Sequence, residues 1–289
     1  MKEITVMSGK GGAGKTVISA ALASVIKDAV LCDNDVDAPD LHLILSPDKK
    51  ESHVFEGNYK AEIDIESCTA CGICAENCRF DAIHLNKDGH YIVNEFQCEG
   101  CRLCERICPE QAITSEKSKN NSWFISNTRY GIMVHAQMGP GEENSGKLVT
   151  HIRKNAREKA AELNASFIIN DGPPGIGCPA IAAITGTDIV LVVIEPSLSG
   201  LHDAQRLTEL VKSFGIPVFA AINKSDLNNG ITEKVKKYLS KEMILLLAEI
   251  PFSTEVLDSV ANGKTITEHA PVSELSRQIF IAAEKLMQS

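Results

Sequence analysis

The chain has 289 residues and a formal net charge of -9, with a pI near 5.4. That length accommodates one large domain and a small one, and the acidic balance argues against a broad nucleic-acid footprint, which needs basic excess. Ten cysteines would suit a disulfide scaffold only behind a signal peptide, whereas the sequence opens on a polar start and a short apolar strand. No run of eighteen apolar residues occurs, so the expectation is a cytoplasmic protein with free thiols and no stable membrane insertion.

In chain order, residues 2–7 read as a buried strand, followed by a glycine-rich loop and an alanine-rich helix from Thr16 to Lys27. Residues 29–32 form a second buried strand that ends at an acidic stretch, Asp33 to Asp40. A cysteine-rich segment then interrupts the pattern, with residues 116–122 as its polar exit linker. Alternation resumes with apolar runs at 131–136, 166–170, 188–194, 217–222 and 244–249, separated by helices near 145–163 and 201–214 and closed by a helix near 271–289. Short apolar strands alternating with amphipathic helices predict an α/β fold, a doubly wound and mostly parallel sheet covered on both faces. The expected domains are 1–58 plus 118–289 for the sheet and 59–117 for an inserted cysteine module. In such sheets ligands bind at the carboxyl ends of the strands.

Three of those ends carry chemistry. After the first strand come Gly9, Lys10, Gly11, Gly12, Ala13, Gly14, Lys15 and Thr16, a G-x4-G-K-T phosphate loop in its proper strand and helix context. Its amides would cradle phosphates at the helix N-terminus, Lys15 would reach the β- and γ-phosphates, and Thr16 would ligate Mg2+. Asp171 ends the run Phe167-Ile168-Ile169-Asn170, the position that holds Mg2+ through water. Pro173, Pro174 and Gly175 follow it, and a glycine amide can approach an anion closely. Asn223-Lys224-Ser225-Asp226 follows another apolar run and matches N-K-x-D, a base-binding pattern.

The cysteines carry the second chemistry. Cys68, Cys71, Cys74 and Cys78 have the spacing C-x2-C-x2-C-x3-C, and Cys98, Cys101, Cys104 and Cys108 repeat it thirty residues later, with Pro109 following. This is the ligand pattern of a ferredoxin carrying two [4Fe-4S] clusters, in which the fourth cysteine of each run serves the other run's cluster. On that rule Cys68, Cys71, Cys74 and Cys108 hold one cluster, and Cys98, Cys101, Cys104 and Cys78 the other. A zinc site is the competing reading, and three closely spaced cysteines with a distant fourth suit it less well than paired C-x2-C knuckles would. The first run departs from the pattern, with Arg79 where the second has its proline.

The loop Lys10 to Thr16, with its extra lysine, resembles the deviant Walker A ATPases of the MinD/ParA superfamily, here with an inserted ferredoxin domain. The resemblance implies a homodimer assembled by nucleotide, in which Lys10 reaches the partner's phosphates. It places Asp33 near the Mg2+ shell and makes Asp35, ahead of Asp37, the residue that orients attacking water. It makes Gly175 a sensor of the γ-phosphate, and puts Asn223, Asp226 and the Pro251-Phe252 loop around the base, with ATP favoured over GTP. The stretch 139–147 is also typical of that group.

The functions implied are ATP hydrolysis coupled to electron transfer to a partner protein or, alternatively, carriage and assembly of iron-sulfur clusters as in Mrp-type members. Because the insert follows the acidic stretch, a phosphate-driven shift there would tilt the cluster module. Cys178, seven residues after Asp171, stands where the nitrogenase iron protein has a cluster ligand. The matching second ligand is missing, so Cys178 is read as a buried or interface thiol, and Cys32 as a core residue.

Overall fold

The computed structural model describes residues 1–142 and 145–289. Glu143 and Asn144, within the stretch singled out above at 139–147, lie outside the described residues. In chain order the elements are β1 (Lys2–Ser8), α1 (Lys15–Val25), β2 (Ala29–Asp33), α2 (Leu41–Leu45), β3 (Asp48–Phe55) and β4 (Tyr59–Ile63). Next come α3 (Ile73–Glu76), β5 (Ile83–Leu85), β6 (Tyr91–Val93), α4 (Leu103–Ile107), β7 (Ile113–Lys117), β8 (Asn121–Thr128) and β9 (Gly131–Gln137). The order continues through α5 (Ser145–Leu163), β10 (Phe167–Pro174), α6 (Cys178–Ile184), β11 (Ile189–Ile194), α7 (Leu198–Ser213) and β12 (Val218–Asn223). It closes with α8 (Asn229–Lys241), β13 (Leu245–Ile250), α9 (Thr254–Ala261), α10 (Ile266–His269) and α11 (Glu274–Gln288).

Two compact units emerge. The first comprises residues 1–52, 124–136 and 145–289. Its sheet runs β13-β12-β11-β1-β10-β2-β9-β8-β3, and the pairings from β13 through to β9 are parallel. Strands buried on both faces must be apolar throughout, which is why β11, Ile-Val-Leu-Val-Val-Ile, has no exposed residue. Alanines on α1 let that helix sit close to the sheet, and Ile18, Leu22 and Ile26 fill a core completed by Ile279, Ala283 and Leu286 of α11. At the start of β1, the buried Glu3 accepts from Arg153 and Arg157 of α5 and from Asn170, so a buried charge is paired and bonded, as burial demands. Among the described residues no helix is long and apolar enough to cross a membrane.

The second unit comprises residues 53–123 and 137–144. It is built twice from one plan. Tyr59–Ile63 pairs antiparallel with Ile113–Lys117, and Ile83–Leu85 with Tyr91–Val93, so the outer strand of each half pairs with the other half. The bond from the Asp64 amide to the Ala112 carbonyl recurs, thirty residues on, as Asn94 to Ala82. Left-handed residues recur at the same offset: Ala70 with Gly100, Gly72 with Arg102, and Asp81 with Gln111.

One sequence expectation is corrected. Residues 116–122 are not a polar linker, because β7 runs through Lys117 and β8 begins at Asn121. The polar residues belong to strand ends, where backbone pairing rather than apolar pattern sets the conformation. β3 was also unmarked, for it is exposed along most of its length and lacks the alternation that signals a half-buried strand.

Candidate functional site

The nucleotide-site residues named above stand on strand ends or the loops that follow them, apart from Lys15 and Thr16, which open α1. The parallel register puts Asp171 opposite Asp33, and Val6 beside Asp171. Thus the phosphate loop leaving β1 passes over two carboxylates. Gly12 and Gly14 hold φ of 78° and 93°, left-handed conformations that glycine adopts without strain. A Cβ on Gly14 would meet the Asn223 amide nitrogen at 2.2 Å, so both space and conformation require glycine.

Asp33 and Asp171 are fully buried. Asp33 accepts from the amides of Asp35 and Leu41 at 3.2 Å each. Burial pushes its carboxyl well above the usual carboxylate range, and the neighbouring Asp171 pushes the same way. Asp171 is raised by burial too, against the pull of Lys15 and of the Thr16 and Ser19 hydroxyls. Ser19 donates to its Oδ1 at 2.7 Å, while Oδ2 has no hydrogen-bond partner among the described residues. Two adjacent buried carboxylates, one with an oxygen to spare and the Thr16 hydroxyl beside it, fit a hydrated Mg2+, which takes few protein ligands and keeps several waters.

Lys15 is buried, with its ammonium 3.7 Å from Asp35. Asp35 is pushed up to about 6, by burial first, with Lys15 opposing. Asp37, in contrast, is exposed on the same turn. Lys10 bonds within its own chain, to Glu195 at 2.7 Å and to the Ser197 hydroxyl at 3.0 Å. Glu195 also pairs with Lys224 at 3.1 Å, and its carboxyl is held below the usual range, chiefly by Lys10.

On the base side, Asn223 donates to the Ala13 carbonyl at 2.8 Å and Lys224 to that of Gly12 at 3.1 Å. Two residues of N-K-x-D therefore brace the phosphate loop. Asp226 Oδ1 accepts the Phe252 amide at 2.6 Å, which joins it to the loop after Pro251. The Gly175 amide, at φ 83°, donates to the Ser8 carbonyl at 2.9 Å. Glu195, Ser197 and Ser19 escaped the sequence reading. Glu195 directly follows the apolar run 189–194, so the strand-end rule that found Asp171 would have found it.

The cysteines gather around two cavities. Cys68, Cys71, Cys74 and Cys108 line one. Cys98, Cys101, Cys104 and Cys78 line the other, where Cys74 also reaches. The exchange of the fourth cysteine follows from the strand exchange between halves. Cys71 and Cys101 are exposed. Burial pushes the Cys104 thiol up to about 11, and Cys98, Cys101 and Cys74 add to the rise, as expected where thiols crowd.

Among the described residues no three His, Cys, Asp or Glu side chains converge as one ion would require. A tetrahedral zinc needs four sulfurs drawn to about 2.3 Å from one point. A cubane instead takes a separate cysteine at each of its irons, and each cavity offers four. Cys32 is fully buried, with its thiol 3.1 Å from Asn34 Oδ1. Cys178, expected to be either buried or at an interface, is not buried; it is exposed at the start of α6.

Residues 4–266 match the family model described as the CobQ/CobB/MinD/ParA nucleotide binding domain. An uncharacterized protein of Methanocaldococcus jannaschii is 35% identical over 292 residues, covering 99% of this chain and 96% of its own. The septum site-determining protein MinD of Pyrococcus horikoshii, solved with Mg-ADP, superposes with a TM-score of 0.57 at 17% identity, covering 99% of this chain and 95% of its own. A shorter match, 40% identical over 57 residues, links 19% of the sequence to 28% of a component of the anaerobic dimethyl sulfoxide reductase of Haemophilus influenzae.

Proposed function

Since the protein belongs to the CobQ/CobB/MinD/ParA nucleotide-binding domain family, we propose that it is a Mg2+-dependent ATPase that couples ATP binding and hydrolysis to electron transfer through two [4Fe-4S] clusters. The observation that carries this reading is the pair of cysteine cavities, each lined by three thiols of one run and the fourth of the other, in a polypeptide that also holds a phosphate loop over two buried carboxylates. In this reading residues 59–117 form an inserted ferredoxin-like domain.

When bound, the clusters would supply one-electron redox chemistry, taking electrons singly from a donor protein and giving them to an acceptor protein. The rest of the work falls to side chains. Lys15 and the loop amides bind the β- and γ-phosphates, and Thr16, Asp33 and Asp171 hold hydrated Mg2+. A cation held by Asp33 and Asp171 would relieve the repulsion between the two carboxylates. Asp35, freed from Lys15 as phosphate takes its place, orients the attacking water. The Gly175 amide exchanges the Ser8 carbonyl for the γ-phosphate, so loss of that phosphate returns it. Lys10 leaves Glu195 to reach the phosphates of a second copy, which makes the active form a nucleotide-dependent homodimer. Mg-ADP on the Pyrococcus protein supports adenine over guanine.

A second reading, a carrier or assembly ATPase for iron-sulfur clusters, draws support from the exposed Cys178. One anaerobic experiment separates the two. The reconstituted protein is assayed for iron and sulfide, and its potentials are recorded alone, with MgATP and with MgADP. About eight irons and a potential that moves with nucleotide are the expected result. Clusters that leave for an apo-acceptor on addition of MgATP, with unmoved potentials, would overturn electron transfer in favour of carriage.

A further inference from the structure

The two halves of the cysteine unit repeat one plan, and charges are among their differences. Lys60 lies on β4. Its ammonium donates to three backbone carbonyls, those of Glu95 at 2.8 Å, Cys98 at 2.9 Å and Gly141 at 3.0 Å. An ammonium has three protons, so all of them are spent on holding the charge in place beside the loop that presents Cys98. Thirty residues on, the counterpart of Lys60 is His90, whose backbone is tied to Asn86.

Other charges also stand near the two cavities, Arg79 next to Cys78 among them. Glu110 lines the first and Glu99 the second. The second also has Arg102, where the first has Gly72, but Arg102 is neutralised by both oxygens of Glu105, at 2.8 and 3.0 Å. The acceptors of the Lys60 ammonium are backbone carbonyls, which carry no net charge. We infer that Lys60 is a positioning and tuning residue that sets the group bound by Cys98, Cys101, Cys104 and Cys78 at a higher reduction potential than the group bound by Cys68, Cys71, Cys74 and Cys108. This rests on the cluster reading above.

The physical reason is electrostatic. Reduction adds one negative charge to a centre already surrounded by thiolates, and a fixed, partly desolvated cation stabilises the more negative state. A single electron delivered by a one-electron donor protein therefore comes to rest on the second centre, leaving the first oxidised. That assigns direction: the first centre faces the donor and the second the acceptor.

The test is an anaerobic redox titration of the full-length protein, read by electron paramagnetic resonance, with iron and sulfide counted on the same samples. Two one-electron steps are expected, the upper one altered by Cys101→Ser. Lys60→Gln should reduce the reduced-to-oxidised ratio of the upper step about tenfold at fixed potential, ~59 mV for one electron, and leave the lower step in place. Lys60→Arg should restore it, because it returns the charge. An unmoved upper step, or an equal shift in both, would overturn the inference while leaving the clusters intact. Should Lys60→Gln fail to hold its second centre, the wild-type assignment decides, and a Cys101→Ser effect on the lower step refutes the inference. A protein with no iron-sulfur signal at all refutes the cluster reading instead.

Discussion

The two units hold themselves together by different means. The first has a continuous aliphatic core reaching from α1 through the sheet to α11, with Ile4, Leu22, Leu191 and Leu286 fully buried. The core cluster of the second comprises Ala61, Cys74, Ile83 and Ile113, packed against partly buried cysteines and a few side chains such as Tyr91 and Val93. So thin a core gives a small domain little stability of its own, and natural domains of that kind often add cross-links or metal. Its thiols take the place that aliphatic side chains hold elsewhere in the molecule. One sequence thus contains a fold that apolar burial sustains and another that, on the function proposed above, an inorganic centre would complete.

The sharpest way to break that contrast is to withhold iron. Protein made without it, or carrying Cys104→Ala, should lose the structure of the second unit, seen as proteolysis within residues 59–117, while the first unit keeps its helical circular dichroism. Resistance of the iron-free second unit to protease would show that its core suffices. Next in size is Lys15→Ala, for which ATP hydrolysis should fall about a thousandfold, ~4 kcal/mol of transition-state stabilisation, with iron content unchanged; single-turnover hydrolysis near the wild-type rate would remove Lys15 from the phosphates.

A core truncation probes the first unit alone. Leu22→Ala should cost about 3 kcal/mol in urea unfolding of that unit, with the visible absorbance of the clusters unaltered until it unfolds. The smallest expected effect concerns His135, buried on β9 with its Nε2 2.9 Å from the Ser126 hydroxyl. Burial pulls its pKa down to about 4. The unfolded state then binds the proton more readily than the folded one, so stability present above pH 6.5 drains away as pH falls towards 4. Between pH 7 and pH 5 the loss should be about 2 kcal/mol, and His135→Asn should show a correspondingly flatter pH profile.

Legibility in the sequence differed between the units in the same way. The parallel sheet of the first was visible because buried strands such as Ile189–Ile194 are apolar at every position, and the phosphate loop because its glycines and lysine are contiguous. The strands β3 and β8 were hidden, since their place depends on neighbours rather than on pattern; His53 and Trp123, stacked at 4.2 Å, are seventy residues apart in sequence. In the second unit the cysteine spacing announced the ligands, whereas nothing about Ala70, Asp81, Arg102 or Gln111 announces a left-handed backbone.

Residues close together in sequence therefore wrote down their own chemistry: G-x4-G-K-T, the two cysteine runs and the aspartates that end apolar strands. What needed the folded molecule was every relation across distance. Glu195 holds Lys10 from 185 positions away, Asn223 donates to the Ala13 carbonyl from 210 positions away, and three carbonyls fix Lys60. A local motif is specified by bond geometry over a few residues, but a long-range pair exists only once the intervening residues have paid their closure entropy and packed, so no short pattern can encode it.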